Sequence, residues 1–258
     1  MKLSVIIVNF KNPALLRLCL KSLQRAISGK TEHEIIVVDV SSSIPTRNVV
    51  REEFLSVKLL AFEKNIGYTK GVNEGLKKAS GEYLLILNPD IVPLKGSIEK
   101  MLEYMKSRPE IGILGPRLLN FDGSPQHSCF RFYTPLTVLY RRSSLGKLPF
   151  ARKTLDKFLM KDKNLDQPVQ ADWIMGSALM ASGNAVEKTG LLNEELFLYM
   201  SDVDWAKRFW KNGYKVVYYP DSQMYHYHRR DSKGGVLDLL LKKEARWHLR
   251  DAIKYFTK

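Results

Sequence analysis

A short apolar segment that ends in two polar side chains constrains the fold of this chain more than any other feature. Residues 83–87 are continuously apolar, which is typical of a strand buried on both faces of a parallel sheet. The run stops at Asn88-Pro89-Asp90, because proline cannot donate to a sheet ladder. Ligands of open α/β sheets bind at the carboxyl ends of the strands. Asn88 and Asp90 are therefore candidate binding residues, and a carboxylate suits Mg²⁺ or Mn²⁺, although Asn-Pro-Asp is also ordinary turn sequence.

The segments that precede this strand alternate between strand and helix patterns. Two further apolar runs, at 2–9 and 34–38, are separated by a helical pattern that begins at Asn12, a favoured N-cap. Strand, helix and strand in this order predict a right-handed parallel crossover. Asp39, at the end of the second strand, is then expected at the same sheet edge as Asp90. The sequence thus predicts an α/β fold with a mainly parallel, twisted sheet.

The second half of the chain carries shorter patterns. Three strands are predicted there, at 111–114, 169–180 and 215–219. The first is expected to break at Gly115-Pro116 and the last to close at Pro220-Asp221, because proline interrupts a sheet ladder. The segment 130–166 is basic, aromatic and irregular in pattern, and it predicts a flap over the sheet edge.

A net charge of +14 indicates an anionic partner, which could be nucleic acid, an anionic membrane or a phosphorylated substrate. The excess is concentrated in two segments, 131–163 and 233–258. The sequence contains neither a clear basic face with interleaved aromatic residues nor a nucleic-acid reading motif. The carboxylates of Asp39, Asp90 and Asp202 would also repel a phosphate chain. A nucleic-acid-binding module therefore stays as an alternative from another class of protein.

The cysteine count and the length of the apolar runs bear on the compartment. The chain has only Cys19 and Cys129, which provide no disulfide framework and no metal-binding spacing. The longest apolar runs are shorter than the roughly 20 residues that span a bilayer. We expect a cytoplasmic protein, either free or attached to the inner face of the cell membrane.

Several short motifs follow one another from Leu3 to about Ser232. In chain order they are Ser4–Asn9, Val37–Asp39, Asn65–Tyr68, Asn73-x-Gly75, Ala79-x-Gly81-x-Tyr83, Leu87–Asp90, Gly176–Ala178, Asp202–Asp204, and His226 before Arg230-x-Ser232. With this order and spacing the chain resembles the inverting family 2 glycosyltransferases of the GT-A fold. Within that family it is most similar to the rhamnosyltransferase-like enzymes of bacterial surface polysaccharide assembly.

The resemblance implies a chemical role for four residues. Asp39 would accept a hydrogen bond from the N3–H of a uracil or thymine base. Asp90 would bind Mg²⁺ or Mn²⁺ at the donor diphosphate, with His226 close by as a ligand or donor. Asp202 would be the general base that takes the proton of the acceptor hydroxyl. The alternatives are helix N-capping for Asp202 and Asp204, and surface histidines for the pair at 226 and 228.

Further residues are assigned to substrate binding with less chemical detail. Small residues around Asn65 and Gly67 suggest close approach to a ligand or to a neighbouring strand. Asn88 and Arg230 are expected near the donor. Asp172 and Trp173 are candidates for the acceptor pocket, with a core tryptophan as the alternative. These complete the predicted substrate-binding set: Asp39, Asn65, Gly67, Asn88, Asp172, Trp173 and Arg230.

The implied reaction is metal-dependent transfer with inversion from a dTDP- or UDP-linked sugar. Rhamnose is the first choice of sugar, another hexose is the alternative, and the acceptor is a glycan or a polyprenyl-diphosphate-linked glycan. Residues 1–232 would form one domain, with a nucleotide-sugar-binding half at 1–115 and an acceptor half at 116–232. Ser201 stands where the family usually has Glu, and Val40 where it often has Asn. The first departure leaves an inactive scaffold as a further alternative.

The last segment, 233–258, is predicted to be a basic amphipathic helix. Its apolar residues recur every three or four positions, at Leu237, Leu241, Ala245, Leu249, Ala252 and Phe256. A basic row recurs every four, at Lys242, Arg246, Arg250, Lys254 and Lys258. This pattern suits a helix in an anionic membrane interface. It equally suits a helix whose leucines pack on the sheet while its lysines face water.

Overall fold

A computed structural model of the protein describes residues 2–27, 29, 31–227 and 243–257. The α-helices of the described residues are α1 Pro13–Ala26, α2 Ile44–Asn48, α3 Tyr68–Lys78, α4 Ser97–Lys106, α5 Pro135–Arg142, α6 Pro149–Phe158, α7 Gly183–Thr189, α8 Ser201–Lys211 and α9 Lys243–Phe256. The strands are β1 Lys2–Asn9, β2 Glu32–Asp39, β3 Lys58–Ala61, β4 Tyr83–Leu87, β5 Ile91–Pro93, β6 Ile111–Leu119, β7 Pro125–Gln126, β8 Cys129–Phe130, β9 Val169–Gln170, β10 Trp173–Ile174, β11 Ala178–Ser182 and β12 Lys215–His226.

The main sheet has the strand order β3-β2-β1-β4-β11-β6-β12-β5. The first four strands are parallel, as the strand–helix alternation predicted. Strand β11 is antiparallel to both of its neighbours, and β12 runs parallel to β6 but antiparallel to β5. The predicted α/β fold is confirmed. The sheet is parallel in its first half and mixed in its second, where β11 is antiparallel to β4 and to β6.

Helix packing on both faces of the sheet follows from the alternation of side chains along the strands. In β1, Leu3, Val5 and Ile7 share one buried cluster with the leucines of α1. Ile6 and Val8 belong to the cluster on the other face, together with residues of α3 and α8. The sheet is therefore the middle layer of the domain, and its strand ends are the open edges.

The glycines of α3 have a packing role. A Cβ at Gly75 would lie 2.4 Å from the side chain of Ile6, and one at Gly71 would lie 2.4 Å from that of Val40. Overpacking of this kind costs about 1–3 kcal/mol. Of the two alternatives for these small residues, close approach to the neighbouring strands is the one that the structure shows.

Two predicted strands differ in length from the observed ones. Strand β6 continues through Gly115-Pro116 to Leu119, and β12 continues through Pro220 to His226. Pro116 pairs with Tyr219, and the register between β6 and β12 shifts directly after this pair. A proline is tolerated at such an irregularity, because it has no N–H to offer the ladder. The prediction that these prolines end the strands was wrong.

Two segments of the second half are built differently from the prediction. Residues 169–180 form β9, β10 and the start of β11 rather than one strand, since β10 leaves the main sheet to pair with β8. The segment 130–166 is not irregular but contains α5 and α6. Pro135 and Pro149 lie at the first turns of these helices, and Thr134 accepts from the Thr137 N–H at 3.1 Å. Prolines in first turns and a threonine cap explain why helices begin there.

The described part of the C-terminal helix packs on the domain. Asp251, Ala252 and Tyr255 of α9 are buried, whereas Leu249 and Phe256 are 46 and 38% exposed. The predicted apolar stripe is therefore divided between the packed face and the solvent face. Leu237, Leu241 and the rest of 233–242 lie outside the described residues. Within the described ranges, no helix is both long and apolar enough to cross a membrane.

Candidate active site

Three predicted site residues lie at one edge of the sheet, because the strands that lead to them, β2 and β4, flank β1. Asn9, the last residue of β1, is in register with Asp39 on β2. On the other side of β1, Ile7 is in register with Leu87, the residue before Asn88. Asp39, Asn88 and Asp90 therefore follow the carboxyl ends of neighbouring parallel strands, as the sequence predicted.

Asp39 is a buried hydrogen-bond acceptor. Its Oδ1 accepts from Asn9 Nδ2 at 3.0 Å, and its Oδ2 has no hydrogen-bond partner among the described residues. Burial raises the pKa of Asp39, and Asn9 together with polar and charged groups of the loop at 42–47 opposes that rise only in part. Since buried polar atoms are normally paired, the open oxygen suits a ligand that donates an N–H.

Asp90 and His226 face each other across the paired strands β5 and β12. His226 Nε2 lies 3.6 Å from Asp90 Oδ2, and Ile91 is in register with His226. The Tyr227 N–H also donates to the Asp90 carbonyl at 3.0 Å. The pairing of β5 with β12 fixes the position of this carboxylate–imidazole pair. Asp90 is two residues after Asn88, so the pair lies close to the end of β4.

Gln126 determines which nitrogen of His226 carries the proton. Gln126 Nε2 donates to the His226 carbonyl and to Asn120 Oδ1, both at 2.8 Å, while Gln126 Oε1 lies 2.8 Å from His226 Nδ1. Because these two oxygens require a donor, the nitrogen of the Gln126 amide must face them. Gln126 Oε1 is therefore the acceptor toward His226, and His226 Nδ1 is the donor. In the neutral ring, the lone pair is then on Nε2 and points toward Asp90. Two acceptors that face each other repel unless a proton or cation lies between them.

Asp202 lies at the N-terminus of α8, next to the loop before β11. Its Oδ2 accepts from the Gly176 N–H at 3.0 Å and its Oδ1 from the Val203 N–H at 2.9 Å. Burial raises the pKa of Asp202, and these two N–H groups lower it by less. A carboxylate with a raised pKa is a better proton acceptor than an exposed one.

The loop that holds Asp202 is also attached to the strand ends. The Asn88 N–H donates to the Ser177 carbonyl at 2.8 Å, and the Tyr68 hydroxyl donates to the Gly176 carbonyl at 2.7 Å. Asp202 is thereby joined through one short loop to Asn88, although they are far apart in sequence. Tyr68 belongs to a motif that the sequence singled out, but its contact with Gly176 was not predicted.

Met200 precedes this helix with an unusual backbone conformation. Its φ is +61°, in the left-handed region, and its side chain is buried. A non-glycine residue held there costs on the order of 1–3 kcal/mol and persists only when its surroundings impose it. The direction of the first turn of α8, which carries Asp202, is therefore set by contacts outside the helix.

Several predicted binding residues have structural contacts instead. Asn65 Oδ1 accepts from the Gly67 N–H at 2.9 Å, and Gly67 has φ +83°, so these two residues form a turn. Trp173 is buried between Phe130 and Tyr133, which is the core alternative. These contacts leave the binding roles of Asn65, Gly67 and Trp173 as predictions without support from the geometry.

The carboxylates of Asp172 and Asp204 already have hydrogen-bond partners within the protein. Asp172 accepts from Arg131 at 3.1 Å and from the Phe132 N–H at 2.8 Å. Asp204 accepts from Arg208 Nε at 3.0 Å, which fits the structural alternative for Asp204. Arg230 and the second histidine of the pair, at 228, lie outside the described residues.

Further buried polar atoms lie near the strand ends, and Asn88 alone among their residues was predicted from the sequence to bind substrate. The buried side-chain atoms without a hydrogen-bond partner among the described residues include Asn9 Oδ1, Thr69 Oγ1, Asn88 Oδ1 and Ser177 Oγ. Such atoms are rare in folded proteins unless a ligand or water meets them. Asn9 and Thr69 are in sequence motifs that could have signalled them, at a strand end and at the start of a helix.

The chain belongs to glycosyl transferase family 2, since the model of that family matches residues 4–155. It is an α/β glycosyltransferase of the GT-A type. This confirms the family, fold and enzyme class that the ordered motifs indicated.

Two relatives and one solved structure show the extent of the similarity. The chain is 28% identical to N-acetylglucosaminyl-diphospho-decaprenol L-rhamnosyltransferase of Mycobacterium tuberculosis over 78% of this chain and 68% of the relative. It is 21% identical to rhamnosyltransferase WbbL of Escherichia coli over 93% and 88%. The structure of GalNAc-T7 with UDP, GalNAc and Mn²⁺ matches 89% of this chain with a TM-score of 0.67 at 16% identity. At this identity the likeness shows the fold alone, and this chain spans 44% of that protein.

Proposed function

We propose that this protein transfers a sugar, with rhamnose as the first choice, from a dTDP- or UDP-linked donor to a glycan or polyprenyl-diphosphate-linked acceptor. The observation that carries the proposal is the grouping of Asp39, Asp90 with His226, and Asp202 around the ends of β2, β4 and β11. Asp39 would bind the base, Asp90 would lie at the diphosphate, and Asp202 would face the acceptor. The mycobacterial relative is an N-acetylglucosaminyl-diphospho-decaprenol L-rhamnosyltransferase, and this supports the choice of rhamnose and of a polyprenyl-diphosphate-linked acceptor.

The proposed reaction is a single displacement. Asp202 takes the proton of the acceptor hydroxyl while that oxygen forms a bond to the anomeric carbon. The bond from this carbon to the diphosphate oxygen breaks on the opposite side, and the nucleoside diphosphate leaves with the electron pair. Attack from one side and departure from the other invert the anomeric configuration.

The donor set at Asp90 and His226 fits a divalent cation. Asp90 Oδ2 and the lone pair on His226 Nε2 face each other, with 3.6 Å between the two atoms. A cation bound by both atoms would remove the repulsion between them. Within the described residues no group of three or more His, Cys, Asp or Glu could hold a metal. Cations at diphosphates are commonly held by one or two protein side chains and by the phosphates themselves. Such an ion would neutralise the charge that develops on the leaving diphosphate.

Replacing Gln126 by Leu is expected to weaken Mn²⁺ binding about 10- to 100-fold, the usual effect of removing a hydrogen bond that orients a metal ligand. Without Oε1, the Nδ1–H of His226 loses its partner, and the ring is no longer fixed toward Asp90. The measurement is calorimetric titration of Mn²⁺ in the presence of UDP or dTDP. Ser124→Ala, which changes the same hairpin without touching His226, is the control. Equal Mn²⁺ affinity in wild type and Gln126→Leu would remove His226 from the proposed site.

A nucleotide screen tests the proposed function. Thermal shift with UDP, dTDP, GDP and CDP, each with and without Mn²⁺, should show stabilisation by UDP or dTDP that depends on the ion. Sugars linked to the preferred base are then tested for transfer and for hydrolysis without acceptor. Rhamnose transfer would confirm the first choice, and transfer of another hexose would select the alternative.

The other classes of function predict different results in the same screen. A nucleic-acid-binding protein would bind DNA with a steep dependence on salt and would not hydrolyse a nucleotide sugar. An inactive scaffold would bind the nucleotide without transfer or hydrolysis. Turnover of any nucleotide sugar excludes both alternatives.

An anionic membrane surface is the proposed location of a lipid-linked acceptor. The solvent side of α9 presents Leu249, Ile253 and Phe256, and Arg246 and Arg250 are exposed on the same helix. Apolar residues beside a basic row suit a helix that lies in a membrane interface. Each cation near an anionic leaflet contributes about 1 kcal/mol. The packing of Asp251, Ala252 and Tyr255 leaves this side of the helix available.

The triple variant Leu249→Ser, Ile253→Ser, Phe256→Ser is expected to lose most of its binding to anionic vesicles at low salt, because the apolar contact is removed. Co-sedimentation with vesicles of phosphatidylglycerol and phosphatidylcholine measures this. Leu18→Ser with Leu55→Ser changes exposed leucines outside the basic segments and should bind like wild type. If wild type itself stays in the supernatant at low salt, α9 has only its packing role.

A further inference from the structure

Asp251 is a fully buried carboxylate on α9 that the proposed reaction does not use. Its Oδ2 accepts from the Leu198 N–H and from the Tyr199 N–H, both at 3.0 Å. Its Oδ1 accepts from the guanidinium of Arg250 at 3.1 Å. A buried carboxylate is tolerated only when it is hydrogen-bonded in this way. The C-terminal helix is thus fastened to the backbone at Leu198 and Tyr199 rather than by apolar packing alone.

The segment to which Asp251 is hydrogen-bonded, residues 197–200, directly precedes the helix that carries Asp202, the proposed base. Residues 197–200 have no helix or strand of their own, and the N–H groups of Leu198 and Tyr199 donate to the Asp251 side chain. They are followed by Met200 in the left-handed conformation and then by α8 with Asp202. The hydrogen bonds to Asp251 are contacts outside α8, and they hold the two residues directly before Met200.

The same segment also touches the turn at Gly67. The Phe197 carbonyl accepts from the Thr69 N–H at 3.3 Å, and a Cβ at Gly67 would lie 2.6 Å from the Phe197 ring. On its other side the Phe197 ring packs on Trp247 of α9, with ring centroids 5.0 Å apart. The segment is therefore held between the C-terminal helix and the start of α3.

We propose that Asp251 is a positioning residue, which orients Asp202 for proton transfer by fixing the backbone of residues 198–200. This inference rests on the proposed function, because it requires Asp202 to act as the base. It assigns a role in the reaction to the C-terminal helix, which lies beyond the residues 4–155 that match the family model. Asp251 does not touch the reacting atoms and acts through Leu198, Tyr199 and Met200.

Replacing Asp251 by Ala is expected to lower kcat about 10- to 100-fold, since misplacement of a catalytic group by about 1 Å has effects of this order. KM for the donor should stay within about threefold of wild type, because the binding groups are not removed. Lys254→Gln is the matched control. It removes a contact of the same helix with the same loop, at the Glu195 carbonyl, but leaves residues 197–200 in place and should keep kcat.

Two further variants decide the matter if Asp251→Ala does not fold. Asp251→Asn keeps an oxygen that can accept from both N–H groups, whereas Asp251→Glu moves the carboxylate by one methylene. If Asp251 has a positioning role, Asp251→Asn should lose less kcat than Asp251→Glu. A purely structural role predicts the same kcat per folded molecule in all variants, with only the melting temperature changed. That second result would overturn the proposal.

Hydrogen exchange separates failure of this inference from failure of the proposed function. Amide exchange at Leu198 and Tyr199 should be faster in Asp251→Glu than in wild type, whatever reaction the protein catalyses. If wild type transfers no sugar, the proposed function fails, and the exchange result alone tests the contact. If wild type is active and exchange rises while kcat is unchanged, the positioning role is wrong and the proposed function stands.

Discussion

Replacing Asp202 by Asn is expected to lower the rate of sugar transfer about 10²- to 10⁴-fold, the usual contribution of a general base. The amide has nearly the shape of the carboxylate and can still accept from the Gly176 or Val203 N–H. It cannot take up the acceptor proton, so donor binding should persist while transfer is lost. Because burial raises the pKa of Asp202, wild-type activity should fall as the pH drops through that raised value, where the carboxyl becomes protonated.

Single-turnover kinetics and donor titration measure these two effects separately. Asp204→Asn is the matched control, because Asp204 is in the same helical turn but is paired with Arg208. We expect this control to keep most of the transfer rate. Turnover of Asp202→Asn near the wild-type rate would show that another group, or water, accepts the proton.

Replacing Asp90 by Ala is expected to abolish the part of donor binding that depends on Mn²⁺. His226 alone would then remain of the facing pair, and one imidazole is a weak site for a hard cation that prefers oxygen ligands. Transfer should be lost as well, because the charge on the leaving diphosphate is no longer neutralised. Thermal shift with UDP and dTDP, with and without Mn²⁺, checks the binding effect.

The control for this variant is Asp221→Ala, an exposed carboxylate elsewhere on β12. It should leave the Mn²⁺-dependent shift unchanged. If the Mn²⁺-dependent thermal shift is unchanged in Asp90→Ala, the cation binds elsewhere. If the nucleotide no longer stabilises the variant even in the absence of Mn²⁺, the variant has lost the nucleotide site itself.

The first half of the fold was predictable because local patterns and the chain order of the elements decide it. The buried runs in β1, β2 and β4 end at polar residues, and right-handed crossovers place those ends at one edge. Asp39, Asn88 and Asp90 could therefore be grouped from sequence. The prolines at 116 and 220 misled the prediction, because a register shift between β6 and β12 accommodates them and such a shift depends on the partner strand.

Contacts between distant segments account for what the sequence could not predict. The tautomer of His226 depends on Gln126, which is 100 residues away in sequence. The two residues meet because β7 pairs with β6 and β6 pairs with β12. The hydrogen bonds of Asp251 with Leu198 and Tyr199 join elements whose spacing in sequence carries no periodic signal. Trp173 illustrates the same limit, since a buried aromatic residue reads equally as pocket or core until its neighbours are known.

The sequence by itself determined the family, the α/β alternation and the polar ends of the central strands, because these depend on residue types and on local spacing. The tertiary structure decided the placement of Asp202, since only the pairing of β11 with β4 brings Gly176 and Ser177 between Asp202 and Asn88. It also decided which side of α9 is packed, because a helical pattern of leucines does not state what they contact. Periodicity fixes the faces of an element, and the partner of each face is fixed by long-range packing.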